Sequence, residues 1–351
     1  MRNIIMKKRN AVVLLLLIAS TTYFFNCNFR LSPIEHSDDY SPFDKNHIWT
    51  IDEKIKYRPQ DLVVVTADFN EQYYSKKGKS TELVLFDFYN PQNYKIITDS
   101  TTYLPCGPKI SPDKSKIIFC IPYSYDGGDA FVLYDLKNNT FQNLSEFQIA
   151  GLFPIWNTDG TRFFFTRDNY SRIGGVCYFD ITTRIYKLIN YYPILCCVIN
   201  KDTIIVFSDV SQMTGEPSGL YFMDLQGNYL SRIHNSHLYS YGFPLADWNN
   251  ELRLLVYNEA YKVDVFKWKI SVTNLDGSYY KNLTPEGYFD VYPYWGPDAK
   301  SILFERHSGG HSTEGWYNSK IMKVDFNTSK VSELFNPNMI ENCTGVRFLR
   351  S

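Results

Sequence analysis

From residue 62 onward the chain is punctuated by short, uninterrupted apolar runs rather than by long amphipathic stretches. They are LVVVT at 62–66, KIIFC at 116–120, RFFFT at 162–166, TIIVF at 203–207, LRLLVY at 252–257 and SILFE at 301–305. Each is five or six residues long and rich in β-branched or aromatic side chains, which reads as a strand and not a helix. With Val64, Ile118, Phe164, Ile205, Leu255 and Leu303 as centres, successive steps are 54, 46, 41, 50 and 48 residues. A second series follows each run: ELVLFDF, AFVLYDL, GVCYFDI, GLYFMDL, KISVTNL and KIMKVDF. Its shared acid or amide falls at Asp87, Asp135, Asp180, Asp224, Asn274 and Asp325, in steps of 48, 45, 44, 50 and 51. Two independent markers keep one period, which identifies an internal repeat.

Two further strands are legible within each period. After the shared acid comes a short turn, then a run such as TFQNLS at 140–145 or YYKNLT at 279–284. Before each apolar run stands a strand such as 151–157 or 291–296, ending in a corner such as Thr158-Asp159-Gly160 or Pro297-Asp298-Ala299. Asp, Pro and Gly are what such corners require. Four strands per period of about 48 residues predict an all-β chain, a six-bladed β-propeller of four-stranded antiparallel blades. GVRFLRS at 345–351 reads as an inner strand with no blade after it, expected to close the ring against the first blade.

The residues also carry a family resemblance. Ile110-Ser111-Pro112-Asp113-Lys114-Ser115-Lys116-Ile117-Ile118-Phe119 resembles the TolB-type propeller repeat, in which SPDG precedes a basic residue and an apolar strand. Pro154-Ile155-Trp156-Asn157-Thr158-Asp159-Gly160 and Pro293-Tyr294-Trp295-Gly296-Pro297-Asp298-Ala299 repeat it, and Asn282-Leu283-Thr284 is similar to its closing LT. The match covers roughly residues 54–351, and its corners are degenerate at 198–203 and 247–252. The resemblance implies a non-enzymatic, protein-interaction scaffold of the cell envelope. The segment before the first blade is too short for the extra α/β domain of TolB itself.

Composition sharpens this picture in two ways. Lys+Arg 36 against Asp+Glu 37 gives a net charge of −1, which excludes binding through phosphate neutralisation, so no nucleic-acid partner is expected. Aromatic content is 17%, with 28 Tyr and 25 Phe, which leans further towards β. Residues 1–27 read as an export leader: Arg2, Lys7, Lys8 and Arg9 precede the uncharged core AVVLLLLIA at 11–19. That core is short for a membrane span of about 20 residues. Three fates stay open: lipidation at Cys27, which follows Phe24-Phe25-Asn26, cleavage near Ala19-Ser20-Thr21, or retention as an anchor. All three predict an extracytoplasmic chain, in periplasm or at the cell surface, touching membrane only through this leader. Residues 28–53 form a tether and 54–351 the propeller.

Antiparallel order puts the second-to-third and fourth-to-first connections of every blade on one face, and these are the long ones. Long loops on a rigid scaffold suit recognition. Tyr125, Tyr170, Tyr239, Tyr241, Trp268, Tyr288, Trp316 and Tyr317 are expected there as a partner-binding face, since Tyr and Trp dominate interface hot spots. The expected occupant is a protein, with a glycan as the competing occupant. The competing activity is a carbohydrate-active, lyase-like or lactonase-like propeller enzyme.

Catalytic and metal readings of the remaining motifs are weaker. His307, His311 and Glu314 share a Gly-rich loop that fixes no ligand geometry. Gly310-His311-Ser312 has Glu314 where a nucleophile elbow needs Gly. Asp126 and Asp129 form an ordinary solvated turn, as do Lys76, Lys77 and Lys79. The periodic Asp residues are expected to bond turn amides. No cofactor or metal is expected. Cys106 and Cys120, symmetric about Asp113, are expected to face each other across a hairpin as a candidate disulfide, which an exported setting permits.

Overall fold

The computed structural model describes residues 62–69, 80–91, 94–98, 106–122, 129–147, 149–169, 172–208, 219–233, 246–260, 267–307, 319–334 and 343–346. All strands belong to one compact unit, Ile48–Phe348. Among the described residues the chain is all-β, its helical content a single 3₁₀ turn at Ser145–Phe147, and no helix is long and apolar enough to cross a membrane.

The strands follow the period read from the sequence. The first sheet holds β1 (Leu62–Phe69), β2 (Ser80–Asp87) and β3 (Tyr94–Ile96). The second holds β4 (Cys106–Ile110), β5 (Lys116–Pro122), β6 (Asp129–Asp135) and β7 (Thr140–Asn143), and the third β8 (Gly151–Trp156), β9 (Arg162–Asn169), β10 (Arg172–Asp180) and β11 (Ile185–Asn190). The fourth is β12 (Ile194–Val198), β13 (Thr203–Ser208), β14 (Gly219–Asp224) and β15 (Tyr229–Arg232). Next come β16 (Ala246–Asn249), β17 (Leu254–Ala260), β18 (Trp268–Thr273) and β19 (Tyr280–Asn282), then β20 (Phe289–Trp295), β21 (Ser301–His307), β22 (Ser319–Asp325) and β23 (Val331–Glu333). These last two groups form one eight-stranded sheet, linked by a single parallel pair, Trp268 opposite Phe289. Every other pairing between named strands is antiparallel. The last strand, β24 (Cys343–Val346), pairs with β1, so the first sheet runs β24-β1-β2-β3.

The apolar runs are uninterrupted because both faces of each second strand are buried. Phe163 and Phe165 of β9 pack towards the second sheet with Ile118, Phe131 and Leu133, while Phe164 packs towards the fourth with Leu195, Ile204 and Val206. Ile205 and Leu220 meet Leu255 and Tyr257, and Val256, Ile270 and Val272 meet Ile302, Phe304 and Val324. Leu303 and Ile321 turn the other way, onto Val63, Val65, Val84 and Phe86 of the first sheet. Consecutive sheets therefore stack face on face, and the last strand group shares its core with the first. Their initial strands lie side by side, β4 by β8, β8 by β12, β12 by β16, and β16 by β20.

Turn chemistry follows the periodic acids. Asp87 Oδ1 accepts the amides of Tyr89 and Asn90, Asp135 those of Lys137 and Asn138, Asp180 those of Thr182 and Thr183, and Asp224 those of Gln226 and Asn228. At the opposite corners Asp113, Asp159 and Asp298 accept the amides of Ser115, Thr161 and Lys300. Where the Pro-Asp-Gly corner is lost, Asn200 and Asn249 accept the amides of Asp202 and of Glu251 and Leu252 in its place.

Two sequence expectations are corrected. The second-to-third connection of the third sheet, expected to be long like the others on its face, is short: β9 continues to Asn169 and β10 begins at Arg172, with Arg172 opposite Asn169. Trp268 is not an open-loop residue; it begins β18 and is buried, its ring 5.8 Å from that of Phe289.

Candidate functional site

Two regions collect chemistry: the convergence of the initial strands, and the face from which the fourth-to-first connections emerge.

Registers place one position of each initial strand at the same height. Lys109 of β4 lies opposite Ile118, Ile155 of β8 opposite Phe164, Cys197 of β12 opposite Ile205, Asp247 of β16 opposite Val256, and Tyr294 of β20 opposite Leu303. Each partner is the third residue of its strand, so the five positions are equivalent. They converge on one carboxylate. Asp247 Oδ2 accepts the Trp295 amide across the strand gap at 2.8 Å. Lys109 places its Nζ 5.2 Å from the centroid of the Tyr294 ring, and the Trp156 indole donates to the Lys109 carbonyl at 2.9 Å.

Burial sets the electrostatics. It pushes the Asp247 carboxyl above its ordinary value, while Lys109, the Trp295 and Trp248 amides and Lys114 pull it back. It holds the Lys109 and Lys114 ammonium groups below the usual lysine range, with Asp247 opposing the shift in both. The Cys197 thiol is driven up by burial, then by Cys196 and Asp247, and the Tyr294 phenol by burial, Asp247 and Glu305. Thus Asp247 is felt from the second, fourth and last strand groups at once. Lys114 stands in the β4–β5 corner with φ +58°, the position that Gly160 (φ +72°) and Ala299 (φ +50°) occupy in their corners.

On the connection face, the links β11–β12 and β19–β20 carry exposed rings. Tyr191 is 63% exposed, with the Arg167 guanidinium 5.6 Å from its centroid. Tyr288 is 43% exposed, stacked on Arg306 at 3.8 Å. Arg306 is held in turn by Asp290, which is fully buried, through a two-pronged bridge with both contacts at 2.7 Å. Desolvation pushes the Asp290 carboxyl up, against the pull of Arg306. Exposed rings occur on the other side as well, at Tyr89 and Tyr279.

Of the eight rings expected to form the partner face, Tyr288 is exposed there and Trp268 is internal. Tyr125, Tyr170, Tyr239, Tyr241, Trp316 and Tyr317 lie outside the described residues, as does Cys27. Tyr191 and Tyr192 belong to the face but escape a search for long loops, because their connection is three residues long. The β4–β5 register sets Cys106 opposite Cys120, as the spacing predicts, and the Cys120 Sγ lies 3.7 Å from the Gly151 carbonyl. His307 is buried at the end of β21 with Nε2 3.2 Å from Glu305; His311 and Glu314 lie outside the described residues. Among the described residues no three His, Cys, Asp or Glu side chains gather as a metal site would need. Glu259 accepts hydrogen bonds from Ser271 and Tyr280, 2.7 Å each, with Lys269 Nζ at 3.6 Å, tying together the strands of its own sheet.

No protein-family model matches the sequence, and no curated protein matches it. Solved structures are similar in fold. TolB from Acinetobacter baumannii superposes with a TM-score of 0.62 at 15% identity, over 81% of this chain and 65% of that one, so the chain spans just under two thirds of that relative. A TolB-like structure from Agrobacterium tumefaciens gives 0.54 at 13% identity, over 78% and 89% of the two chains. A chain of the nidogen/laminin complex gives 0.53 at 9%, over 82% and 97%. At such identities the likeness is one of architecture. Four-stranded sheets stacked face on face, initial strands converging, and these superpositions together give the chain the fold of a TolB-like β-propeller.

Proposed function

We propose that the chain is an extracytoplasmic, membrane-tethered propeller that holds a protein partner on its connection face and performs no chemistry there. The carrying observation is the pair of exposed tyrosines, Tyr191 and Tyr288, each backed by an arginine on one side of the fold. A ring fixed against a guanidinium offers contact area with little rotamer entropy left to lose. The long loops that carry Trp316 and Tyr317 join strands on the same side. Likeness to TolB and to a chain of the nidogen/laminin complex, a protein assembly by its name, supports a partner that is itself a protein.

In this reading the eight-stranded sheet is two blades joined by one parallel pair, giving six, and β24 serves as the inner strand of the first blade. Residues 1–27 deliver the chain across the membrane, Cys27 is the lipidation candidate, and Cys106 bonds Cys120 once exported.

Photo-crosslinking the full-length, tethered chain through probes at 191, 288 and 316 tests the assignment. Crosslinks to one partner, lost on Tyr191→Ala, Tyr288→Ala and Trp316→Ala, are expected. Partner capture that survives all three substitutions discards the face, and strong signals on a glycan array instead of crosslinks turn the reading to carbohydrate.

A further inference from the structure

Exposed apolar side chains also mark the side of the fold away from the partner face. The first-to-second and third-to-fourth turns of every strand group lie there, opposite the long connections. Among the described residues, Tyr89 stands in the β2–β3 turn, Leu252 in the β16–β17 corner and Tyr279 in the β18–β19 turn, all exposed. Ile185 and Leu230 join them at the starts of β11 and β15. Tyr89, Ile185 and Leu230 are each more than half exposed. Every large exposed aliphatic among the described residues lies on this side, whereas the large exposed residues of the connection face are tyrosines. Turn chemistry pins the carriers: Asp87 Oδ1 accepts the Tyr89 amide and Asn274 Oδ1 the Tyr279 amide, 2.9 Å each. The five residues belong to four different strand groups, so a flat surface laid against this side meets several at once.

Two observations say what that surface is. The chain enters the fold here: β1 is a second strand, and its first residue, Leu62, lies opposite Asp87, the acid that holds the β2–β3 turn. Residues 28–61 link it to the leader, and in any conformation they span no more than about 120 Å. The membrane that holds the leader therefore stays within reach of this side. Charge, secondly, does not select an anionic partner. Exposed cations and acids alternate in the corners, Lys201 with Asp202 and Glu251 with Arg253 on either side of Leu252, so attraction must come from apolar contact.

We propose that the corner side rests on the lipid surface that anchors the leader. Ile185, Leu230 and Leu252 enter the acyl boundary, and Tyr89 and Tyr279 stand at headgroup level. This contact rests on the tethered reading above and adds a second membrane contact to that of the leader. Few side chains suffice, because a tethered chain meets the same surface again at high effective concentration. The connection face is then turned away from the membrane, towards its partner.

The test places the full chain, leader included, in phosphatidylcholine vesicles whose acyl chains carry a quencher near the headgroup. An environment-sensitive fluorescent amino acid stands at position 279, or at 191 as the control on the connection face. Quenching at 279 and none at 191 is expected, unchanged by added salt. Ile185→Ser, Leu230→Ser and Leu252→Ser together should abolish quenching at 279 while the chain still floats with the vesicles; all three are exposed, so an unchanged Tm accompanies the loss. Equal quenching at both positions, none at 279, persistence in the triple variant, or loss in salt overturns the proposal and leaves the tether standing. A chain that does not float with the vesicles at all overturns the tethered reading and this contact together. A dimer that the triple substitution dissolves gives the patch to a second copy and overturns it as well.

Discussion

Removing Arg306 isolates the most deeply buried charge described above. Asp290 is 0% exposed, and both its oxygens are taken by Arg306 at 2.7 Å. Arg306→Ala leaves that carboxylate buried and uncompensated, which costs about 3–5 kcal/mol. Loss of the stack under Tyr288, at the surface, adds about 0.5–1 kcal/mol. At roughly 2–4 °C per kcal/mol for a large domain, Tm should fall on the order of 7–24 °C, with a matching shift in urea midpoint. The deficit should also depend on pH in a definite direction. The folded Asp290 carboxyl already stands above its unfolded value of about 3.9, so this group destabilises at neutral pH and that cost disappears as pH falls through the folded value. Without Arg306 the folded value rises further, so the gap between variant and parent should narrow on acidification. Replacing both partners with apolar residues, Asp290→Leu with Arg306→Met, should cost less than Arg306→Ala alone. A deficit under about 1 kcal/mol at pH 7, or one that does not change with pH, refutes the reasoning.

Other expectations are simpler to check. A β-carbon on Gly227 would stand 2.3 Å from the Ile189 carbonyl at φ +88°, while one on Gly287, at φ +103°, meets nothing within 4 Å. Gly227→Ala should therefore cost about 2–4 kcal/mol in urea unfolding and Gly287→Ala about 1, and equal costs would contradict the packing of the β14–β15 turn on β11. Asp224→Ala should cost about 1 kcal/mol, because two turn amides lose their acceptor. Hydrogen bonds from residues 226–228 hold that carboxyl below its ordinary value despite desolvation, so its contribution should persist above pH 4 and be lost only as pH falls through the lowered value, visible as a shrinking difference between variant and parent. Exported protein, alkylated without reduction and digested, should yield a Cys106–Cys120 linked peptide by mass spectrometry; full alkylation of both thiols excludes the bond.

What was legible in the sequence is what repetition writes. Burial on both sides made each second strand a continuous apolar run, and the turn acids recur because every sheet needs the same amide acceptor. Trp268 misled because an aromatic flanked by Lys267 and Lys269 reads like a loop residue, and only a pairing with Phe289, twenty-one positions on, makes it internal. The convergence of Lys109, Asp247 and Tyr294 left no signature at all. Each strand puts a different residue type at the equivalent position, so periodicity hides the site that alignment of registers exposes. Short connections hid Tyr191 in the same way.

The pairing of β24 with β1 joins residues 67 and 346. During synthesis the amino-terminal sheet must wait with its flank bare until residue 346 has left the ribosome. Its completion is a non-local contact, the kind that forms late, and a chaperone has a defined stretch, LVVVTADF, to shield in the interval.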